Sequence, residues 1–338
     1  MIRFVFTSSV LVGLTWCLGC LKESGEPVDW FIIYKLPKKK SSGNPLIKDG
    51  VGFYYMDSKN PSFSLSGANI QKKGHALYNT LQQVYNQNGP HKFKYAMYND
   101  QPPPRNERIE ETFKAYGHTK GMYAFDEKQG FWLISSVPQF PAPLSHGYNY
   151  EQGQTKLGQA MICVSLSRKY LTVIEDIFNI TNPNIYDPKR RPRRYYSSVT
   201  LVPQKVFPIS TVKGQSFRFF AKSSIFGKDL YDGLVAPDLS ESLYVHTWEA
   251  NWPSTCNMRF KVMNIEMIKF PSDMVFKSNS DHSKWTVSTK DSWVCVGDIN
   301  RATSQFKRGG GTMCLSSVSV WRAFNALIKS VQNCTKYL

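Results

Sequence analysis

Beyond its start, the 338-residue chain has no apolar run long enough to cross a bilayer as a helix. Acidic side chains are scarce as well: 25 Asp and Glu stand against 42 Lys and Arg, a formal charge of +17. A surface so basic attracts polyanions, whether nucleic acid, acidic glycan or anionic lipid, and charge alone does not choose among them. Apart from Cys17 and Cys20 at the very start, no two cysteines are spaced C-x-x-C, which argues against a zinc site. Nor is the composition that of a disordered chain. At 41% hydrophobic and 14% aromatic it can bury a core, as two domains or as one large one.

The start differs from the rest. Arg3 precedes an apolar run from Phe4 to about Trp16, too short for a span and matching the apolar core of a signal peptide. Residues 1–19 are therefore read as a leader. Leu18-Gly19-Cys20 also resembles a bacterial lipoprotein site, but the sequons at Asn179 and Asn333 favour a eukaryotic secretory chain. Seven cysteines become six once Cys17 leaves with the leader, an even number that fits three disulfides in an oxidising compartment.

The chemistry concentrates in a motif that occurs twice. Asp281-His282-Ser283-Lys284-Trp285 places an imidazole and an ammonium on one face of a strand, because strand side chains alternate. A turn and the strand Trp293–Val296 follow, then Gly297-Asp298-Ile299-Asn300. Gly117-His118-Thr119-Lys120-Gly121 repeats the plan, with a returning strand that ends near Ser136. Ser136 follows Lys120, and Asn300 follows Lys284, at the same sequence spacing. Lysine and asparagine donate hydrogen bonds to an anionic oxygen, and histidine attacks or shuttles a proton. Repetition of the motif predicts two related halves that share one site. The motif residues include no carboxylate cluster for magnesium or calcium, so no metal or other cofactor is expected.

Paired H-x-K motifs resemble the phospholipase D superfamily. The wider wording is similar to the deoxyribonuclease II family: Val28-Asp29-Trp30-Phe31, Tyr34-Lys35-Leu36-Pro37, Tyr98-Asn99-Asp100, Phe131-Trp132-Leu133, Val137-Pro138-Gln139-Phe140-Pro141 and Arg308-Gly309-Gly310-Gly311, besides the two motifs. The superfamily's carboxylates are not found at their usual distance after either lysine, so no helper acids are assigned. The resemblance implies an α/β (mixed) fold of two pseudo-symmetric phospholipase D-like halves, each a mixed β-sheet flanked by helices, over residues 20–190 and 191–338. It also implies a metal-independent acid endonuclease that leaves 3′-phosphates, with His118 as nucleophile and His282 as acid, beside Lys120, Lys284 and Asn300. Ser136 and Arg308 are candidate substrate-binding residues. The implied disulfides are Cys20–Cys163, Cys256–Cys334 and Cys295–Cys314, and the implied location is the lysosome, with secretion as a further outcome.

The remaining chain reads as strands at Val28–Leu36, Val51–Met56, Phe93–Tyr98, Met161–Leu166, Phe217–Phe220, Leu243–Trp248 and Val262–Phe270. Helices are predicted over His75–Gln87, near Ile225–Leu234, and at the end, where Trp321, Phe324, Ile328 and Val331 share a helical face. Residues 179–200, with the basic run Lys189–Arg194 and Tyr195 and Tyr196, read as a boundary loop that is solvated or tracks a nucleic-acid backbone. The other histidines, His75, His91, His146 and His246, have structural readings. Two functions compete with a DNA nuclease: a secreted phospholipase D-like enzyme acting on lipid, and a non-enzymatic polyanion binder. The first needs an acyl pocket that the sequence does not display, and two intact dyads argue against the second. The oligomeric state is not legible.

Overall fold

The computed structural model describes residues 17–86, 93–103, 116–188, 202–248, 250–271, 274–290 and 292–334. Most of the leader, His91, the run Lys189–Arg194 with Tyr195 and Tyr196, and the expected boundary at 190/191 lie outside the described residues. The protein is mixed α/β, built on two large sheets with flanking helices. In the first, the strands run in spatial order Ile185–Asp187, Lys94–Asn99, Lys120–Phe125, Gln129–Ser135, Gln159–Ser167, Trp30–Lys35, Phe53–Asp57, Ser64–Leu65. The second runs Gln204–Ser210, Ser216–Lys222, Gly310–Ser316, Trp293–Gly297, Trp285–Ser288, Leu243–His246, Val262–Phe270, Met274–Lys277. All pairings described in the first sheet are antiparallel, and one parallel pair, Leu243–His246 with Val262–Phe270, makes the second mixed.

The repeated motif occupies the same place in each sheet. Lys120 opens one central strand and Lys284 immediately precedes another, and each strand turns back along its neighbour. Alternation then builds three hydrophobic layers. Trp30, Ile32, Tyr34 and Trp132 of the first sheet face Phe217, Phe219 and Trp285 of the second, with Trp132 and Phe219 ring centroids 4.9 Å apart. Helices Tyr170–Thr181 and Val318–Asn325 also bury residues in this middle layer. Phe31, Ile33 and Phe53 point the other way, against Leu77, Leu81 and Val84 of helix Ala76–Tyr85. Tyr231, Leu234 and Val235 cover the far face of the second sheet. Covering on both faces is why Trp30–Lys35 is buried throughout and reads as an unbroken apolar run. His75 caps its helix by accepting the Tyr78 N–H through Nδ1.

Two expectations change. Residues 170–181, the end of which was read as loop, form a helix with Leu171, Ile174, Ile177 and Phe178 buried between the sheets. The last predicted helix stops at Asn325, and Ile328–Val331 is a strand paired with Val262–Phe270. Long-range pairing of two β-branched ends outweighs a helical spacing of apolar residues there. The structure has three disulfides, Cys20–Cys163, Cys256–Cys334 and Cys295–Cys314.

Candidate active site

His118 lies just before its strand and is held from the opposite half. Its backbone N–H donates to the Gly309 carbonyl at 2.8 Å, and its ring Nδ1 lies 2.5 Å from the Asp298 carbonyl. A carbonyl only accepts, so Nδ1 carries the proton and Nε2 keeps its lone pair. That nitrogen lies 3.5 Å from Lys120 Nζ and 3.8 Å from Asp100 Oδ2. Lys120 donates to Asp100 Oδ1, and Arg308 Nη2 donates to Asp100 Oδ2 at 3.0 Å and to the Tyr116 carbonyl at 3.0 Å.

The second motif is braced in the same way. The His282 N–H donates to the Gly158 carbonyl at 2.8 Å, and Lys284 Nζ donates to the His282 carbonyl. The imidazole packs against the Trp248 indole with centroids 4.3 Å apart. Among the described residues His282 Nε2 is buried without a hydrogen-bond partner. Asp281 accepts from Tyr34, from the Ser283 N–H and hydroxyl, and has His246 Nε2 at 3.2 Å, so the motif's first residue is fixed in a buried network. Both histidines remain partly accessible while the two lysines and Asp100 lie buried behind them.

The electrostatics follow from burial and from cations set close together. Burial, then Lys120, holds His118 well below the ordinary histidine range, against the pull of Asp100. His282 is pushed down to about 3 by burial and Lys284, with Asp281 opposing. Lys284 falls to about 7 through burial and the charge of Lys120, against the pull of Asp100, Asp281 and Asp298. Burial disfavours charge on Asp100 too, but Lys120, His118 and Arg308 outweigh it and hold the carboxyl below its ordinary range. Asp298 goes the other way: burial lifts it to about 7, although the Gly311 amide and the two lysines pull it down.

His118 and His282 each feel the lysine of the other motif, Lys284 and Lys120, and Arg308 joins the first dyad through Asp100. Ser136 is not free for a ligand there, because its hydroxyl donates to Gln159 and accepts the Ala160 N–H. Asn300 is buried, its backbone N–H donates to Gln305, and no hydrogen bond joins its side chain to either dyad among the described residues. The equal spacing of Ser136 and Asn300 is not structural equivalence. Gly121 pairs with Ile134, which sets Lys120 opposite Ser135, whereas the Gly297 N–H donates to the Lys284 carbonyl. The first hairpin is two residues longer, so the residue matching Ser136 is Asp298. Each takes an amide from the next strand, Ala160 for Ser136 and Gly311 for Asp298.

The deoxyribonuclease II family model matches residues 19–334. The chain belongs to the deoxyribonuclease II family. It is 35% identical to Deoxyribonuclease-2-alpha of Rattus norvegicus, over 97% of this chain and 99% of the relative. Plancitoxin-1 of Acanthaster planci is 35% identical over 97% of this chain and 96% of that protein. Deoxyribonuclease-2-beta of Homo sapiens is 33% identical over 99% and 98%. Within this deoxyribonuclease II frame, four residues at the site escaped the sequence reading: Asp100, Asp298, Trp248 and His246. Asp100 and Asp298 do lie inside blocks that resemble the family. His246 ends a strand and Trp248 lies two residues beyond it, and neither carries a sequence signal of its own. The Arg308-Gly309-Gly310-Gly311 stretch is neither a free loop nor an open anion nest. Gly310 starts a strand, and the Gly311 amide faces the chain's own Asp298. No Cβ fits at Gly309, since it would stand 2.1 Å from the Thr181 carbonyl oxygen.

Proposed function

We propose that the protein is an acid endonuclease that hydrolyses DNA phosphodiester bonds without a metal and leaves 3′-phosphates. The observation that carries this reading is the two H-x-K dyads, each with its histidine anchored on the other half, and His118 locked in the tautomer that leaves Nε2 as the attacking atom. Lys120, Lys284 and Arg308 provide the positive charge that a phosphodiester and its transition state require. His118 Nε2 attacks phosphorus, the bond from phosphorus to O5′ breaks, and the departing oxygen takes a proton from His282. His282, now neutral, accepts a proton from water as that water attacks the phosphohistidine. His118 is released and the phosphate stays on the 3′ oxygen. Asp298 and Asp100 hold the lysine and histidine geometry.

The free protein drives both imidazoles toward neutrality, so His282 gains its proton when a phosphodiester anion lies beside it, and more readily in acid. Acid also matches lysosomal delivery, with the leader over residues 1–19 giving entry to the secretory pathway and release from the cell as a further outcome. Asn179 and Asn333 are exposed and suit glycan attachment. The test is plasmid cleavage in EDTA at about pH 5 against about pH 8 with magnesium, the acid choice following from histidine titration, with end-group analysis of the products. Cleavage in the acid EDTA tube giving 3′-phosphates is expected. Activity confined to the neutral, metal-supplemented tube would sink the reading.

A further inference from the structure

Two buried lysines outside the motifs have no role in this chemistry. Lys35 ends the strand Trp30–Lys35 opposite Gln159, and Lys222 ends Ser216–Lys222 opposite Gly310. Both are buried, at 0% and 1% exposure, and among the described residues neither forms an ion pair. A buried ammonium without a carboxylate is costly, so its position calls for a reason. Lys35 Nζ donates to the Thr155 carbonyl. Lys222 Nζ donates to the carbonyls of Gln305 at 2.9 Å, Phe306 at 3.1 Å and Arg308 at 2.5 Å.

The register makes these two lysines counterparts. Ser136 donates its N–H to Ala160 and Asp298 donates its N–H to Gly311, so Gln159 corresponds to Gly310 and Gly158 to Gly309. Each lysine therefore grips the segment that leads into an equivalent glycine. Each of those glycines accepts the backbone N–H of a motif histidine from the opposite half: Gly158 from His282 and Gly309 from His118, both at 2.8 Å. The fit is tight at both. A Cβ on Gly158 would stand 2.4 Å from Asp281 Oδ1, next to His282.

We infer that Lys35 and Lys222 are a crossed pair of positioning residues: Lys35 of the first half sets His282 of the second through Gly158, and Lys222 of the second half sets His118 of the first through Gly309. The inference rests on the reading of His118 and His282 as the reacting pair.

A crossed pair has a kinetic signature that a general loss of structure lacks. DNA cleavage needs a protonated leaving oxygen. A thymidine 3′-(4-nitrophenyl phosphate) does not, because nitrophenolate departs unaided. On the proposed roles, His282→Ala loses plasmid cleavage but keeps the first, stoichiometric release of nitrophenolate that forms the phosphohistidine, and His118→Ala loses both. Lys35→Met should then lower the single-turnover rate of plasmid cleavage at least about tenfold more than the rate of the nitrophenolate burst, and Lys222→Met should lower the two together. If the histidine roles are exchanged, the lysine signatures exchange with them. The Lys35→Gln and Lys222→Gln variants, which retain a neutral donor, are read in the same way if the methionine variants do not fold. A Lys35 variant with the wild-type ratio of the two rates, or one that follows His118→Ala instead of His282→Ala, overturns the crossed assignment. Wild-type turnover in both histidine variants would instead remove the reaction scheme itself, and the positioning roles with it.

Discussion

Asp100 and Trp248 occupy the same position in the two halves. Tyr98 pairs with Gly121 and His246 with Trp285, each partner being the residue after a motif lysine, and Asp100 and Trp248 lie two residues further on. A near-symmetric backbone thus gives the two histidines unlike neighbours. His118 has a carboxylate held by Lys120 and Arg308, and His282 has an indole. Unlike surroundings are what two identical side chains need to take unlike roles.

The indole is expected to help keep His282 neutral. Trp248→Ala admits water to the imidazole and should raise its pKa from about 3 toward the ordinary value. A histidine-labelled NMR titration of the variant against wild type measures this directly. An unchanged titration would mean that the lysine charges alone hold the ring down.

Replacing either histidine is expected to abolish cleavage while leaving DNA binding largely intact. Lysine and arginine charge supplies most non-specific affinity for a phosphate backbone. Plasmid nicking and filter binding with His118→Ala and His282→Ala decide it, and normal nicking by either variant contradicts the two-histidine scheme. Lys120→Ala should slow turnover by about 10²–10³-fold, the usual cost of removing one transition-state charge donor.

The alkaline limb of the pH profile should belong to Lys284. Its pKa is lowered to about 7, so the ammonium is present below that value and is lost as pH rises through it. The profile of kcat/KM, which reports the free enzyme, should therefore fall gradually above about pH 3 as His282 loses its proton and more steeply through about pH 7 as Lys284 loses its own. In kcat the same limb should lie higher, because a bound phosphodiester stabilises the charge. Lys284→Arg, which does not deprotonate in this range, should move the limb upward. A limb that stays in place in this variant assigns it to another group.

Removing the Cys295–Cys314 bridge should cost about 3 kcal/mol, the loop-closure magnitude for a ring of this size. The bridge joins the two strands that lead to Asp298 and away from Gly311, so the paired Cys295→Ala, Cys314→Ala variant should also lose activity before it unfolds. Thermal unfolding beside cleavage assays at moderate temperature would show both effects.

Much of the site was legible because strand alternation and motif repetition are local properties. His118 with Lys120 and His282 with Lys284 stand at fixed spacing, and each pair is followed by its own hairpin. Asp100 was not legible in the same way, because it reaches Lys120 from a neighbouring strand whose register no spacing rule supplies. Asn300 drew attention through a count of residues, but the two hairpins differ in length, and the residue at the matching position is its neighbour Asp298. The helix Tyr170–Thr181 was missed because its apolar face packs between two sheets whose approach depends on the whole fold.

The glycine carbonyls that receive the histidine amides also bear on how the chain matures. Neither histidine meets its backbone partner within its own half, so each sheet can form while both histidines are still unanchored. Hydrolytic competence is then a late property of folding, reached only once the two halves are joined. An incompletely folded chain would be idle toward nucleic acid until it is whole, with no separate inhibitor required.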